Sequence, residues 1–138
     1  MKTYKFKNLK VGKTQNFKVK ISDGIIKKFI NLSGDLNKIH TDQKFAMRYG
    51  YNKKVVHGML MGAFYSRFIG MYLPGKYSLL ISMDIKFNKP VYLNDKITIK
   101  GKVVEKNSLF KIVTVKIIST NQSNSIVSNA KAVVQLNE

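Results

Sequence analysis

The sequence predicts an α+β fold in which a curved antiparallel β-sheet wraps around one central helix. From Ser78 onward, apolar and polar residues alternate with period two, as expected for half-buried strands. The stretches with this pattern are SLLISMDIKFNKPVYLND, KITIKGKVVEK, FKIVTVKIIST and SIVSNAKAVVQL. Ahead of them, HGMLMGAFYSRFIGMY has apolar residues at helical spacing and one charge, Arg67, which predicts a buried helix. A sheet that follows a single apolar helix buries it by packing around it.

Shorter elements are predicted ahead of the central helix. An N-terminal strand ends near Lys20. The segment SDGIIKKFINLSG predicts a helix that is capped by Ser22 or Asp23 and terminated by Gly34. A loop carrying DLNKIH follows, and TDQKFAMRYG then predicts a short helix capped by Thr41.

Length and composition indicate one globular domain that spans residues 1–138. The hydrophobic fraction of 44% supports a packed core, and without cysteine the chain has no disulfide and no thiolate metal site. The N-terminal MKTYKFKNLK has no apolar run typical of a signal peptide. The longest uncharged stretch, Val55 to Ser66, is too short for a membrane helix. We therefore expect a soluble cytoplasmic protein.

The net charge of +18 is compatible with nucleic acid, an anionic membrane surface or a small polyanionic ligand. However, the lysines are spread along the chain and alternate with apolar residues on the predicted strands, which is typical of a solvated sheet face. No strand interleaves aromatic and basic residues as RNA-binding strands do. We expect neither nucleic acid nor a membrane as partner, and a ligand with several phosphates remains compatible.

The stretch GDLNKIH places Asp35, Asn37 and His40 on one loop. A carboxylate and an imidazole within reach of one water can move its protons, which is general acid–base catalysis. The alternative is structural: Asp35 caps the next turn, Asn37 takes a left-handed turn position and His40 begins a helix. The loop alone does not decide between the two.

His57 and Gly58 stand where the central helix is predicted to begin. The first N–H groups of a helix lack intrahelical partners, and glycine lets a substrate oxygen approach them, which would create an oxyanion hole. Alternatively, Gly58 only allows a tight entry into the helix and His57 is a structural histidine. Zinc binding by both histidines and Asp35 is disfavoured because neither HxH nor HExxH spacing is present.

The two stretches in this order resemble the MaoC-like, (R)-specific enoyl-CoA hydratase family. LSGDLNKIHTDQKFA followed by VVHGML matches that family's Gly-Asp-x-Asn-x-x-His loop and downstream His-Gly helix start. The resemblance continues through LPGKYS and IKFNKPVYLND, and it covers the chain from Phe29 to near Lys106. It implies a hot-dog fold with a short overhanging helix and loop that carry a catalytic dyad.

The resemblance also implies residue roles. Asp35 and His40 match the catalytic dyad, and the backbone N–H of Gly58 matches the group that polarises the thioester carbonyl. Three residues match supporting positions: Asn37, His57 and Ser66, the last of which falls where related hydratases carry a serine near the dyad. Eight helical residues separate Gly58 from Ser66, about 12 Å along the axis, so both cannot contact one substrate atom.

One residue departs from the family pattern: Lys38 stands where the family usually has proline after the asparagine. Proline would stiffen the loop by fixing φ. Its absence removes rigidity and no reacting group, so we expect the chemistry to be retained.

The function implied by the resemblance is reversible hydration of a trans-2-enoyl thioester to an (R)-3-hydroxyacyl thioester. It implies no metal or other cofactor, coenzyme A or acyl carrier protein as carrier of the substrate, and a homodimer whose sheets join edge to edge. Three alternatives stay open: a dehydratase that depends on acyl carrier protein, a hot-dog thioesterase, and a non-catalytic acyl-thioester-binding module.

Overall fold

The computed structural model describes residues 1–138. A single 3₁₀ turn, Phe6–Asn8, precedes the regular elements. In chain order the elements are β1 (Thr14–Lys20), α1 (Asp23–Ser33), α2 (Lys38–Thr41), α3 (Gln43–Arg48), α4 (Gly58–Met71), β2 (Ser78–Phe87), β3 (Lys96–Asn107), β4 (Ile112–Thr120) and β5 (Ile126–Leu136).

The five strands form one antiparallel sheet in the order β1-β3-β4-β5-β2. The register shifts once in each of the pairs β2–β5, β3–β4 and β4–β5. Such irregularities bend the strands and increase their twist, which lets the sheet curve around α4. The predicted α+β architecture is therefore confirmed, and β1 and β2 are its two edge strands.

The core lies between α4 and the inner face of the sheet. Six residues of α4 are buried there: Leu60, Met61, Phe64, Tyr65, Phe68 and Ile69. The sheet approaches most closely at Gly101 in β3, where an added Cβ would overlap the ring of Phe68. Glycine fits at this point because any larger residue would displace the buried ring of Phe68.

A polar cluster also lies inside this core. The buried hydroxyl of Ser119 donates to the hydroxyl of Tyr65 at 2.9 Å. The Tyr65 hydroxyl also lies 2.5 Å from the hydroxyl of Ser128. Burial raises the pKa of the Tyr65 phenol. Since the phenol keeps its proton, the three hydroxyl groups satisfy one another away from water.

The prediction of a buried α4 is correct for one side of the helix and wrong for the other. The sheet covers only one side of the helix, because five strands cannot close around it. On the other side Met59 is 59% exposed, and Ala63, Ser66 and Arg67 also face outward. No helix of the protein combines the length and the apolar character required to cross a bilayer.

The predicted caps are correct for α1 and wrong for α3. The Ser22 hydroxyl accepts the Ile25 N–H at the start of α1, and Gly34 ends this helix with a left-handed φ of 69°. The prediction of Thr41 as the second cap is wrong. Thr41 is the last residue of α2, and the Asp42 carboxylate caps α3 by accepting the Phe45 N–H at 3.0 Å. This bond lowers the pKa of Asp42.

Candidate active site

The loop after α1 is held by its own side chains. The carboxylate of Asp35 accepts the Asn37 N–H at 3.0 Å through Oδ1, and the side chain of Asn37 accepts the Ile39 N–H at 3.1 Å. Asn37 thereby caps α2, and its φ of −51° shows that it does not take the left-handed conformation. The turn uses only Oδ1 of Asp35, so the structural role of this carboxylate is compatible with a chemical one.

His40 is fixed through one ring nitrogen. Its Nδ1 lies 2.6 Å from the carbonyl oxygen of Val55, and the Val55 N–H donates to the Ile39 carbonyl at 3.1 Å. A carbonyl oxygen only accepts, so Nδ1 carries the proton in this bond. In the neutral ring Nε2 then has a free lone pair, which is the form of histidine that a general base requires.

His57 lies between the loop and the central helix. It is 2% exposed, and its Nε2 is 3.0 Å from the backbone carbonyl oxygen of Asp35 and 3.8 Å from Oδ2 of the Asp35 carboxylate. Its ring stacks on that of His40, with 3.8 Å between centroids and 27° between planes. The two histidines of the chain, far apart in the predicted secondary structure, are therefore in direct contact.

Gly58 is the first residue of α4, as predicted, and His57 makes no side-chain cap at this terminus. The N–H of Gly58 has no intrahelical acceptor and lies at the positive end of the helix dipole, whereas the Leu60 N–H already donates to the His57 carbonyl at 3.1 Å. The ring of Phe87 lies 3.1 to 3.3 Å from the position that a Cβ of Gly58 would take. The absence of a side chain at Gly58 thus lets this ring pack closely against the helix terminus.

The two histidines and Gly58 share a cavity of about 360 Å³. Its walls come from α2, the segment between α3 and α4, the start of α4, the end of β2 with the segment after it, and the start of β5. The lining residues are His40, Tyr51, Val55, Val56, His57, Gly58, Met61, Phe87, Asn88, Lys89, Pro90, Val91 and Val127. A mostly apolar cavity with a few polar groups at one end is the usual form of a site for a small molecule.

The predicted site residues fall into three groups. His40, His57 and Gly58 line the cavity, while Asp35 stands beside it with 49% of its side chain exposed. Asn37 does not line the cavity, and its side chain instead caps α2 by accepting the Ile39 N–H. Ser66 is exposed on α4 and outside the cavity lining, because two helical turns separate it from Gly58.

Sequence reasoning did not single out Phe87, Tyr51 or Met61 as parts of the site. Phe87 belongs to IKFNKPVYLND, which the resemblance included, and no pattern in that stretch shows that its ring reaches Gly58. One lysine, Lys89, lines the cavity, and it donates to the Ser125 hydroxyl at 3.2 Å.

Asp35, His40 and His57 each offer one potential ligand atom, and these atoms lie within 4.8 Å of one another. One nitrogen of each imidazole is already used: Nδ1 of His40 and Nε2 of His57 bond to backbone carbonyl oxygens. A shared zinc ion would therefore have to bind Nε2 of His40 and the buried Nδ1 of His57, or replace one of these bonds. The expectation of a metal-free site stays a prediction.

The helix inside a curved five-stranded sheet, with the candidate site at the N-terminus of that helix, defines a hot-dog protein. Residues 6–124 match the family described as MaoC like domain, and this chain belongs to that family.

Relatives with assigned activities are similar over most of the chain. The (R)-specific enoyl-CoA hydratase of Aeromonas caviae is 29% identical over 129 residues, which are 94% of this chain and 96% of that protein. The 3-hydroxybutyryl-CoA dehydratase of Methylorubrum extorquens is 33% identical over 100 residues, 72% of this chain and 64% of that protein.

A solved structure is equally similar. The R-hydratase PhaJ1 from Pseudomonas aeruginosa, in its unliganded form, superposes with a TM-score of 0.89 at 28% identity. The superposition covers 96% of this chain and 85% of that one. The predicted hot-dog fold and the predicted family are therefore confirmed.

Proposed function

We propose that this protein is an (R)-specific enoyl-CoA hydratase, a hydro-lyase that adds water reversibly across the trans-2 double bond of an acyl thioester. One observation carries the proposal: His40 and the N-terminus of α4 at Gly58 face the same cavity, and Asp35 lies beside it. The activities assigned to the relatives support the reaction class and the R configuration.

In the proposed mechanism, the thioester oxygen lies at the start of α4. The Gly58 N–H donates to it, and the positive end of the helix dipole favours the negative charge that this oxygen gains when water attacks. The electrons of the double bond move toward the carbonyl, so the β-carbon becomes the electrophile.

Water is held by Asp35 and His40 in this scheme. It adds to the β-carbon as one of the pair takes its proton, and a proton returned from the pair to the α-carbon completes the addition. In neutral His40 the free Nε2 is able to accept, while Nδ1 stays bound to the Val55 carbonyl. An interacting pair titrates as a unit, so we assign the protons to the dyad as a whole. The scheme uses no metal, flavin or nicotinamide.

Coenzyme A fits the positive charge beside the cavity. Its phosphate groups would meet Lys89 at the wall and Lys53 and Lys54, which precede the lining residue Val55 and are exposed. Such attraction raises the rate of encounter and weakens with salt. An acyl carrier protein is also anionic, so charge does not distinguish the two carriers. We propose coenzyme A because the two relatives described above are named as enzymes of coenzyme A thioesters.

The test of this proposal is incubation of the protein with crotonyl-CoA and identification of the product. We expect loss of the enoyl absorbance, a product heavier by one water, and the 3R configuration on chiral analysis. Release of free thiol with crotonate as the acid product would instead identify a thioesterase. A protein that binds crotonyl-CoA and leaves it unchanged, and that also leaves crotonyl carrier protein unchanged, would be a binding module.

We also propose that two copies of this domain form a homodimer through β2 and α4. β2 is an edge strand, and Leu79, Leu80 and Ile81 on it are 49%, 38% and 52% exposed. The exposed side of α4, with Met59, supplies further uncovered apolar surface. An exposed apolar edge strand tends to pair with another strand, and a second copy of β2 would cover it.

The dimer is tested with Ile81→Lys, which places a charge on the free edge. We expect the wild-type protein to sediment as a dimer and this variant as a monomer. Ile118→Lys is the matched control, since Ile118 is 45% exposed on a strand in the middle of the sheet. Monomeric wild-type protein, or dissociation by Ile118→Lys alone, would contradict the proposed interface.

A further inference from the structure

His57 has an unusual set of contacts for a buried histidine. It bonds to the carbonyl of Asp35, stacks on His40 and directly precedes Gly58, so it contacts all three parts of the proposed site. The ring of Phe29 covers it at 5.2 Å between centroids. Its other nitrogen, Nδ1, is buried and has no hydrogen-bond partner.

The hydrogen bonds of the two histidines define opposite tautomers. The Asp35 carbonyl oxygen can only accept, so Nε2 of His57 carries a proton, and in the neutral ring Nδ1 then holds an unused lone pair. In His40 the order is reversed, because Nδ1 donates to the Val55 carbonyl. Adjacent stacked rings thus keep their free lone pairs on different nitrogens, and only that of His40 is free on Nε2.

We propose that His57 is a positioning residue of the active site, held as the neutral Nε2–H tautomer. Its Nε2–H fixes the backbone of Asp35, and its ring fixes the plane of His40. This inference rests on the proposed hydratase function, and it assigns His57 no contact with the reacting atoms.

Two separate effects follow from this arrangement. Two hydrogen bonds restrict Asp35. The Nε2–H of His57 holds its backbone carbonyl, and the Asn37 N–H holds its carboxylate, so the side chain has little conformational freedom. The hydrogen bond to the Val55 carbonyl fixes His40 at Nδ1 only, and the imidazole could still tilt around that point. The stacked ring of His57 blocks this tilt, because the tilted imidazole would collide with it.

The unpartnered Nδ1 distinguishes a positioning role from a role in stability. Burying an acceptor without a donor is unfavourable, and an apolar ring would avoid this penalty. A histidine kept only for packing would therefore be replaced by phenylalanine without loss of either stability or activity. Since His57 supplies a donor to the loop, we expect phenylalanine to be tolerated by the fold and harmful to catalysis.

The kinetic test compares His57→Phe and His57→Gln with the wild type on crotonyl-CoA. His57→Phe keeps a ring against His40 and removes the donor. His57→Gln keeps a donor near the position of Nε2 and removes the ring. We expect kcat to fall about 10- to 100-fold in His57→Phe, with KM changed less than about threefold, because misplaced catalytic groups slow the chemical step. His57→Gln is expected to recover part of that loss.

Tyr65→Phe is the control for stability. It removes a hydroxyl that is hydrogen-bonded in the core and lies outside the cavity lining. We expect it to lower the melting temperature and leave kcat within about twofold. If His57→Phe and His57→Gln fold and both retain wild-type kcat, the positioning role is wrong.

The tautomers are tested independently of activity by long-range ¹H–¹⁵N NMR spectra of the imidazoles. The chain has only two histidines, and His57→Gln assigns their signals. At a pH where both rings are neutral, we expect His40 to be protonated on Nδ1 and His57 on Nε2. Equal tautomers, or the reversed pair, would overturn the inference. The expected tautomers in a protein that is inactive on crotonyl-CoA would leave this geometry intact and refute the proposed function instead.

Discussion

Asp35→Asn is expected to lower kcat for hydration of crotonyl-CoA by about 10²- to 10⁴-fold, the range typical of general acid–base catalysis. The new amide still offers an oxygen to the Asn37 N–H, which the Asp35 carboxylate accepts in the turn of the loop. The substitution therefore removes the charge and the proton-accepting oxygen and preserves the turn. The measurement is the steady-state loss of enoyl absorbance by both proteins.

His40→Ala should have an effect of the same size, and the double variant should be little worse than either single one, because the two groups act as a unit. The control is Asp23→Asn, which changes an exposed aspartate paired with Lys27 at 2.7 Å and far from the cavity. It should leave kcat unchanged. Activity of Asp35→Asn and His40→Ala within threefold of the wild type would contradict the assignment of the dyad.

Gly58→Pro is expected to produce the second large effect, a loss of about 10²- to 10³-fold in kcat, as found when one oxyanion donor is removed. Proline has no N–H, and it is well tolerated at the first position of a helix. The residue before a proline must be extended, and His57 already has φ −54° and ψ 128°. The substitution thus deletes one donor and is compatible with the start of α4.

Gly58→Ala is the matched control for this variant. Both substitutions add a Cβ that meets the ring of Phe87, and Phe87 is 49% exposed and free to shift. Only proline removes the N–H. We expect the alanine variant to keep kcat within about tenfold of the wild type, and equal losses in the two variants would show that the Cβ, and not the donor, is responsible. Melting temperatures of both variants exclude unfolding as the cause.

Much of the fold could be predicted because each element is specified locally. The period-two stretches after Ser78 became β2 to β5, and the apolar stretch from Gly58 to Met71 became α4. Ser22 and Gly34 cap α1 as predicted, since a serine hydroxyl before a helix accepts one of its free N–H groups and a glycine after it takes the left-handed conformation without strain.

The errors concern features that depend on neighbouring elements. Thr41 and Asp42 are both good helix caps, and the formation of α2 ahead of them decided which one caps α3. The exposure of one side of α4 depends on how many strands cover the helix. The spacing of apolar residues along α4 does not predict the number of covering strands.

The site was predictable in its residue types and only partly in its geometry. The motif stretches identified Asp35, His40 and Gly58, and in the structure His40 and Gly58 line one cavity while Asp35 lies beside it, close to His40. The stacking of His40 on His57 was not predictable, since it arises from the path of residues 41–56 between them. The same holds for Phe87, which reaches Gly58 through the pairing of β2 with β5.

In the proposed mechanism, the dyad and the helix terminus act on one thioester. The most direct measurement is a crystal structure of Asp35→Asn, the variant expected to be slow, soaked with crotonyl-CoA. We expect the thioester oxygen about 3 Å from the Gly58 nitrogen and the β-carbon facing Nε2 of His40. A thioester bound with its carbonyl directed away from Gly58, or outside the cavity that His40 and Gly58 line, would contradict the account.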